Sequence, residues 1–132
     1  MKNLIILSFL LSIILPQKSL AQSWVHVSGS REFTAYYYDA FGAFEVDEGQ
    51  WRVRVLIDNI SPSATTFGPS TIVESLYDCR LPKILFISET WYSRRMGEGE
   101  ITEYFESSET DRQWERIFYE EDGMIRELLC NY

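Results

Sequence analysis

Two cysteines, Cys79 and Cys130, carry the clearest chemistry in this sequence of 132 residues. They form no C-x-x-C redox motif, and the only histidine, His26, lies too far away in sequence to suggest a zinc site. In an oxidising compartment, paired cysteines usually form a disulfide. Chain entropy predicts about 4 kcal/mol of stabilisation for a loop of this length. We therefore predict a structural disulfide between Cys79 and Cys130.

The oxidising compartment is predicted from the N-terminal segment, residues 1–21. A cationic start precedes a largely apolar run, Leu4–Leu15, and the small residues Ser19 and Ala21 fit a signal-peptidase site. The apolar run is too short for a membrane-spanning helix, which needs about 20 apolar residues. We predict a cleaved signal peptide followed by one mature domain, residues 22–132.

Export without an anchor is expected, because Gln22 occupies the first mature position, where a bacterial lipid anchor would need a cysteine. The protein would then reside in the periplasm, at the cell surface or outside the cell, with no transmembrane segment or lipid. Its net charge of −8 argues against nucleic-acid binding, since phosphates repel carboxylates. Its 45% hydrophobic content is enough for a packed core and argues against disorder.

The motifs of the common enzyme classes are missing: the sequence has no G-x-S-x-G, no glycine-rich phosphate loop and no H-E-x-x-H. His26 stands in a strand-like pattern with no nucleophile beside it. Glu98, Glu100 and Glu106 are candidate paired carboxylates, but their spacing is typical of a solvated strand face. The run Glu120–Gly123 lacks the alternating ligands of a calcium loop. We predict a non-enzymatic protein without cofactor or metal, with a small carboxylate-dependent hydrolase as the alternative.

Aromatic residues indicate a contact surface. The run Tyr36–Tyr38 places rings on both faces of a strand, so more apolar surface exists than one short helix covers. Either a closed or two-layer sheet buries these rings, or an exposed patch serves dimerisation or partner binding. Arg94 and Arg95 are either a solvated edge or a cationic contact in an acidic molecule. The candidate partner surface comprises Tyr36, Tyr38, Trp91, Arg94 and Arg95.

The elements that would position these residues are mostly strands. Apolar and polar residues alternate in a series of short runs separated by turn residues, at 24–28, 33–39, 51–58, 71–78, 83–92 and 100–107, with a further short strand within 114–119. Helical spacing returns at Met124, Leu128 and Leu129, behind acidic residues that suit a helix N-terminus, and predicts a helix over 122–131. The fold class is α+β: an antiparallel sheet of about six strands with a C-terminal helix tethered by one disulfide.

Five short segments, in this order, resemble the surface-adhesin protein E family of Gram-negative bacteria: Tyr37–Asp39, Arg54–Asp58, Glu74–Arg80, Trp114–Ile117 and Arg126–Cys130. The resemblance covers nearly the whole mature chain. It implies an antiparallel sheet with a C-terminal helix held by the Cys79–Cys130 bond. It also implies a periplasmic or cell-surface protein, compatible with a homodimer, and the named member of the family binds extracellular-matrix and serum proteins of the host.

The function expected from the resemblance and the missing catalytic motifs is that of an exported binding module. Its partner would be an extracellular-matrix or serum protein. The alternative is a periplasmic structural or envelope-associated protein whose partner is bacterial.

Overall fold

The computed structural model of the chain describes residues 23–30, 33–61, 63–64 and 67–131. The predicted signal peptide, residues 1–21, lies outside the described residues. Within them, no helix combines the length and the apolar character needed to cross a membrane.

Eight strands and one α-helix form the described part of the chain. The strands are β1 (Trp24–Ser28), β2 (Ala35–Asp39), β3 (Phe44–Asp47), β4 (Gln50–Asp58), β5 (Ser70–Asp78), β6 (Lys83–Tyr92), β7 (Ile101–Glu106) and β8 (Glu115–Arg116). A 3₁₀ turn, Arg95–Gly97, precedes β7, and the helix α1 spans Glu120–Cys130. All strand pairs are antiparallel, in the order β1-β2-β4-β5-β6-β7, with β3 beside β4 and β8 beside β6.

The predicted α+β class is therefore confirmed, with eight strands where the sequence indicated about six. The strand that the prediction missed is β3, whose four residues are all exposed. It forms a hairpin with β4 around Gly49, which has a φ of +70°. Phe44 and Val46 alternate with acidic residues, but a run of four residues is at the lower limit of the length at which alternation indicates a strand.

The core lies between α1 and one side of the sheet, which we call the helix face. It consists of six buried residues: Tyr38, Val53, Val55, Tyr77, Ile125 and Leu129. Ile125 and Leu129 are one helical turn apart, so they project from the same side of α1 toward the sheet. The helix begins two residues earlier than predicted, at Glu120, and its first turn carries three acidic residues, as the helix dipole favours.

The C-terminal end of α1 is fixed to the sheet by covalent and polar contacts. Cys79, which follows β5, forms a disulfide with Cys130, the last residue of the helix, and their Cα atoms are 5.5 Å apart. Arg126 donates from Nε to the carbonyl oxygen of Asp78 at 2.7 Å and from Nη2 to that of Cys79 at 2.9 Å. The predicted disulfide is thus confirmed, and a charged side chain of the same helix supports it.

Removing the disulfide should destabilise the domain strongly. For residues 22–132 with Cys79→Ala and Cys130→Ala, we expect the free energy of unfolding to fall by about 4 kcal/mol, because the unfolded chain loses a long-loop constraint. Urea denaturation followed by far-ultraviolet circular dichroism measures the change, and Cys79→Ala alone should cost about as much. An unchanged urea midpoint in the double variant would contradict the tethering role.

Candidate functional site

The five residues predicted as a partner surface do not lie together. Tyr36 and Tyr38 project from the helix face, since they pair with Ile57 and Val55 of β4. Trp91 projects from the same face of β6. Arg94 and Arg95 belong to the turn after β6, which packs on the opposite face. The sheet therefore separates the predicted aromatic residues from the predicted cations.

Two of those aromatic residues are buried in the structure and offer a partner little surface. Tyr38 is 5% exposed because it forms part of the core under α1. Trp91 is 8% exposed, and the ring of Phe67 lies against it with the ring centroids 5.6 Å apart. Tyr36 is partly exposed, and Arg94 and Arg95 are exposed.

The turn that carries the two arginines is anchored by buried polar groups. Asp58 is fully buried and accepts hydrogen bonds from Nη2 of Arg95 at 3.0 Å and from the backbone N–H of Met96 at 2.5 Å. Ser70, also fully buried, donates to the carbonyl oxygen of Arg94 at 2.5 Å and accepts from the N–H of Gly97 at 3.0 Å. These bonds hold the turn against the sheet. The charge of Arg95 is paired with Asp58 within the fold.

Gly97 explains how closely this turn approaches the sheet. Its φ is +66°, and a Cβ atom there would lie 3.0 Å from Cδ1 of Ile72 and 3.6 Å from Cδ1 of Leu56. Leu56 and Ile72 pair across β4 and β5 and belong to the face opposite α1. The turn therefore covers the apolar centre of that face.

On the helix face, α1 leaves part of the sheet uncovered, and a groove of about 450 Å³ remains there. We call it the sheet–helix groove. Its floor is formed by apolar side chains of β4, β5 and β6, among them Val55, Ile57, Val73 and Phe86. Its wall is formed by β8, the first turn of α1 and the segment between them. Tyr36 lines it as well, so one residue of the predicted surface belongs to this site.

Two aromatic residues at the mouth of the groove are exposed. Phe118 is 82% exposed and Tyr119 is 72% exposed, and both lie in the short segment between β8 and α1. Large aromatic side chains are the residues that most often anchor protein contacts. We call this pair the aromatic rim.

The groove also contains carboxyl groups in an environment that disfavours their charge. Desolvation raises the pKa of Glu89, and the neighbouring indole of Trp91 offsets part of this rise. That indole N–H is buried and makes no hydrogen bond of ordinary geometry to any described residue. Desolvation likewise raises the pKa of Asp122; a hydrogen bond from Tyr77 opposes the rise and the charge of Glu121 adds to it.

Tyr77 links the groove to the core. Its hydroxyl donates to Oδ1 of Asp122 at 2.6 Å, across 45 residues of sequence. Burial, together with the charge of Asp122, raises the pKa of Tyr77 well above its usual range. The pKa of Tyr36 is raised as well, first by desolvation and then by Glu121 and Asp122. Tyr77 therefore remains a neutral donor that orients the Asp122 carboxylate.

The carboxylates named for a hydrolase are not brought together. Glu100 precedes β7 and Glu106 ends it, so the extended strand separates them by about 20 Å, whereas glycosidase pairs are about 5–10 Å apart. Glu98 lies in the preceding turn, and Glu106 is 3.6 Å from Nη2 of Arg112. Over the described ranges, no cluster of three or more histidine, cysteine or acidic side chains is placed to hold a metal ion.

Several groove residues were missed by the sequence analysis. Phe118 and Tyr119 fall within the short strand predicted over 114–119, whereas β8 ends at Arg116 and leaves both residues in the segment before α1. The sequence pattern therefore gave no signal of their exposure. Glu89 lies within β6, where the sequence pattern did not single it out. The pairing of β5 with β6 places it opposite Val73, on the face that forms the groove.

Substitution of Asp58 tests the anchoring of the arginine turn. Asp58→Ala should lower the free energy of unfolding by about 2 kcal/mol, because the Met96 N–H and the Arg95 guanidinium lose a buried acceptor. Asp58→Asn should cost less, since its amide oxygen still accepts one bond. Urea denaturation of both variants measures the difference, and a cost below about 0.5 kcal/mol for Asp58→Ala would contradict the assignment.

Substitution of Tyr77 tests the electrostatics of the groove. Tyr77→Phe should raise the pKa of Asp122 further, because the hydrogen bond that favours its ionised form is removed. Carboxyl carbon NMR over a pH series measures this pKa directly. Tyr37→Phe, on the opposite face of the sheet, is the matched control and should leave it unchanged. A pKa of Asp122 that stays the same or falls in Tyr77→Phe would show that the bond is absent in solution.

Comparison with known proteins identifies the family of this chain. Among curated proteins, no sequence match of significance was found. The sequence profile of the family described as surface-adhesin protein E matches residues 24–131, from the first strand to the residue after the helix. A match over this share of the sequence is decisive for membership. This chain belongs to the surface-adhesin protein E family.

Proposed function

We propose that this chain is an exported, non-enzymatic adhesin whose sheet–helix groove and aromatic rim contact an extracellular-matrix or serum protein. The family supports an adhesin-like surface protein with an external protein partner. The observation that carries the choice of surface is the exposure of Phe118 and Tyr119 beside an apolar groove.

The aromatic rim is suited to contact because of its position and its support. Exposed rings gain free energy when a partner removes them from water, about 25 cal/mol per Å² of apolar surface. The segment that carries them runs directly into α1, whose far end is fixed by the disulfide. A contact surface that is already ordered loses less conformational entropy when it binds.

The charge of the molecule restricts the partner. With a net charge of −8, the chain attracts proteins that present basic surfaces and repels acidic ones. Such steering weakens as salt screens it, within a Debye length of about 8 Å at physiological ionic strength. The contact surface on the partner should therefore be basic at its edge and apolar at its centre.

Surface plasmon resonance tests this function. Residues 22–132, captured in oriented form, should bind at least one member of a panel of matrix and serum proteins. The double variant Phe118→Ser, Tyr119→Ser should weaken that binding by about tenfold or more, because buried aromatic anchors are worth about 2 kcal/mol or more at interfaces. Phe41→Ser is the matched control, because Phe41 is 89% exposed in the turn after β2 and does not line the groove.

Two results would contradict the proposal. One is a folded protein that binds no member of the panel. The other is binding that survives loss of the rim and disappears with Phe41→Ser, which would place the contact elsewhere on the molecule. The fold of each variant is checked by circular dichroism before binding is scored.

A further inference from the structure

We infer that the sheet–helix groove binds a cationic group carried on an apolar stem, as in a lysine or arginine side chain flanked by apolar residues. This inference rests on the proposed function and deepens it by naming the chemistry of the partner segment. It follows from what the groove offers a ligand and from what it lacks.

The floor of the groove offers apolar contact and little main-chain hydrogen bonding. Its strands β4 and β5 are each paired on both sides, so their backbone N–H and C=O groups are used within the sheet. Val55, Ile57 and Val73 present aliphatic side chains there. A ligand must therefore place an apolar portion on the floor and find its polar partners at Glu89 and on the wall.

The wall of the groove is acidic. Glu115, Glu121 and Asp122 line it, and a fourth carboxyl group, that of Glu89, extends from β6 on the floor, against one guanidinium, that of Arg116. Among the ion pairs of the described residues, none involves any of the four. Glu89 and Asp122 are partly removed from water, which disfavours their ionised forms, and a cation that enters the groove relieves that cost.

These features exclude the other ligand classes. A fatty acid or a phosphate would bring a negative charge against four carboxyl groups, and a purely apolar ligand would leave Glu89 and Asp122 desolvated. Lysine and arginine side chains combine an aliphatic stem with a cationic end. The rings of Tyr36, Phe118 and Tyr119 around the groove add favourable faces for a cation.

The dependence on pH has a definite sign. The pKa values of Glu89 and Asp122 are raised by desolvation, and a bound cation favours their ionised forms. Cation affinity should therefore fall as the pH is lowered through the titration of these two groups. The other titratable or charged groups that line the groove are Tyr36 on β2, Tyr77 on β5, Glu115 and Arg116 on β8, Tyr119 just before α1 and Glu121 in its first turn. On β7, Glu103 lies on the same face of the sheet, opposite Trp91.

Three small probes of equal length test the inference: 4-phenylbutylammonium, 4-phenylbutanol and 4-phenylbutyrate. Each is titrated into ¹⁵N-labelled residues 22–132, and amide shifts are followed by NMR. The ammonium probe should give saturable shifts at groove residues such as Val73 and Phe86. The alcohol should bind about three- to tenfold more weakly, and the carboxylate more weakly still, because the charge interaction is lost or reversed.

Variants then assign the charge effect to the groove. Glu89→Gln should weaken the ammonium probe by about three- to tenfold and leave the alcohol unchanged. Asp122→Asn, which keeps an acceptor for Tyr77, provides a second test if the first variant folds poorly. Glu109→Gln is the matched control, since Glu109 is exposed in the loop after β7 and does not line the groove.

The inference is overturned if the alcohol binds as tightly as the ammonium, if the shifts lie outside the groove, or if no probe saturates. Its failure is distinguishable from failure of the adhesive role. Selective binding of the ammonium without binding to any matrix or serum protein would contradict the adhesive role alone. Binding to such a protein through the rim, without preference for the ammonium, would contradict the inference alone.

Discussion

The covering of the helix face by one short helix is the constraint on which the rest of the structure depends. An eleven-residue helix is about 16 Å long, whereas the nine residues of β5 span about 30 Å. The helix can therefore bury only part of the apolar face. Its position is fixed at the C-terminal end by the Cys79–Cys130 bond and by Arg126, so the uncovered part stays beside its N-terminal end. The sheet–helix groove is the direct consequence.

The opposite face is completed in another way, which explains the separation of the two predicted halves of the contact surface. There the turn after β6 folds over Leu56 and Ile72, and buried Asp58 and Ser70 satisfy its backbone groups. In that arrangement the guanidinium of Arg95 is hydrogen-bonded to Asp58. One face of the sheet is thus closed by a polar anchor and the other is left partly open beside an acidic wall.

The sequence predicted most of the elements, with β3 as the exception, but not which residues each face of the sheet buries. The strand predicted over 51–58 depends only on local alternation, and the disulfide was predicted from an isolated pair of cysteines. Both predictions are confirmed. The burial of Tyr38 and Trp91 could not be predicted from local alternation. It depends on which face of the sheet α1 and Phe67 cover. The groove joins six elements from β2 to α1, and its central contact connects Tyr77 to Asp122. Local periodicity carries no information about such a pairing.

The placement of α1 on the sheet, which creates the groove, is tested most directly by methyl nuclear Overhauser effects in solution. The account predicts cross-peaks from the methyl groups of Ile125 and Leu129 to those of Val53 and Val55. It also predicts cross-peaks from the Tyr77 ring to the β-protons of Asp122. Cross-peaks from Ile125 and Leu129 that stay within the helix, with none to β4, would contradict it.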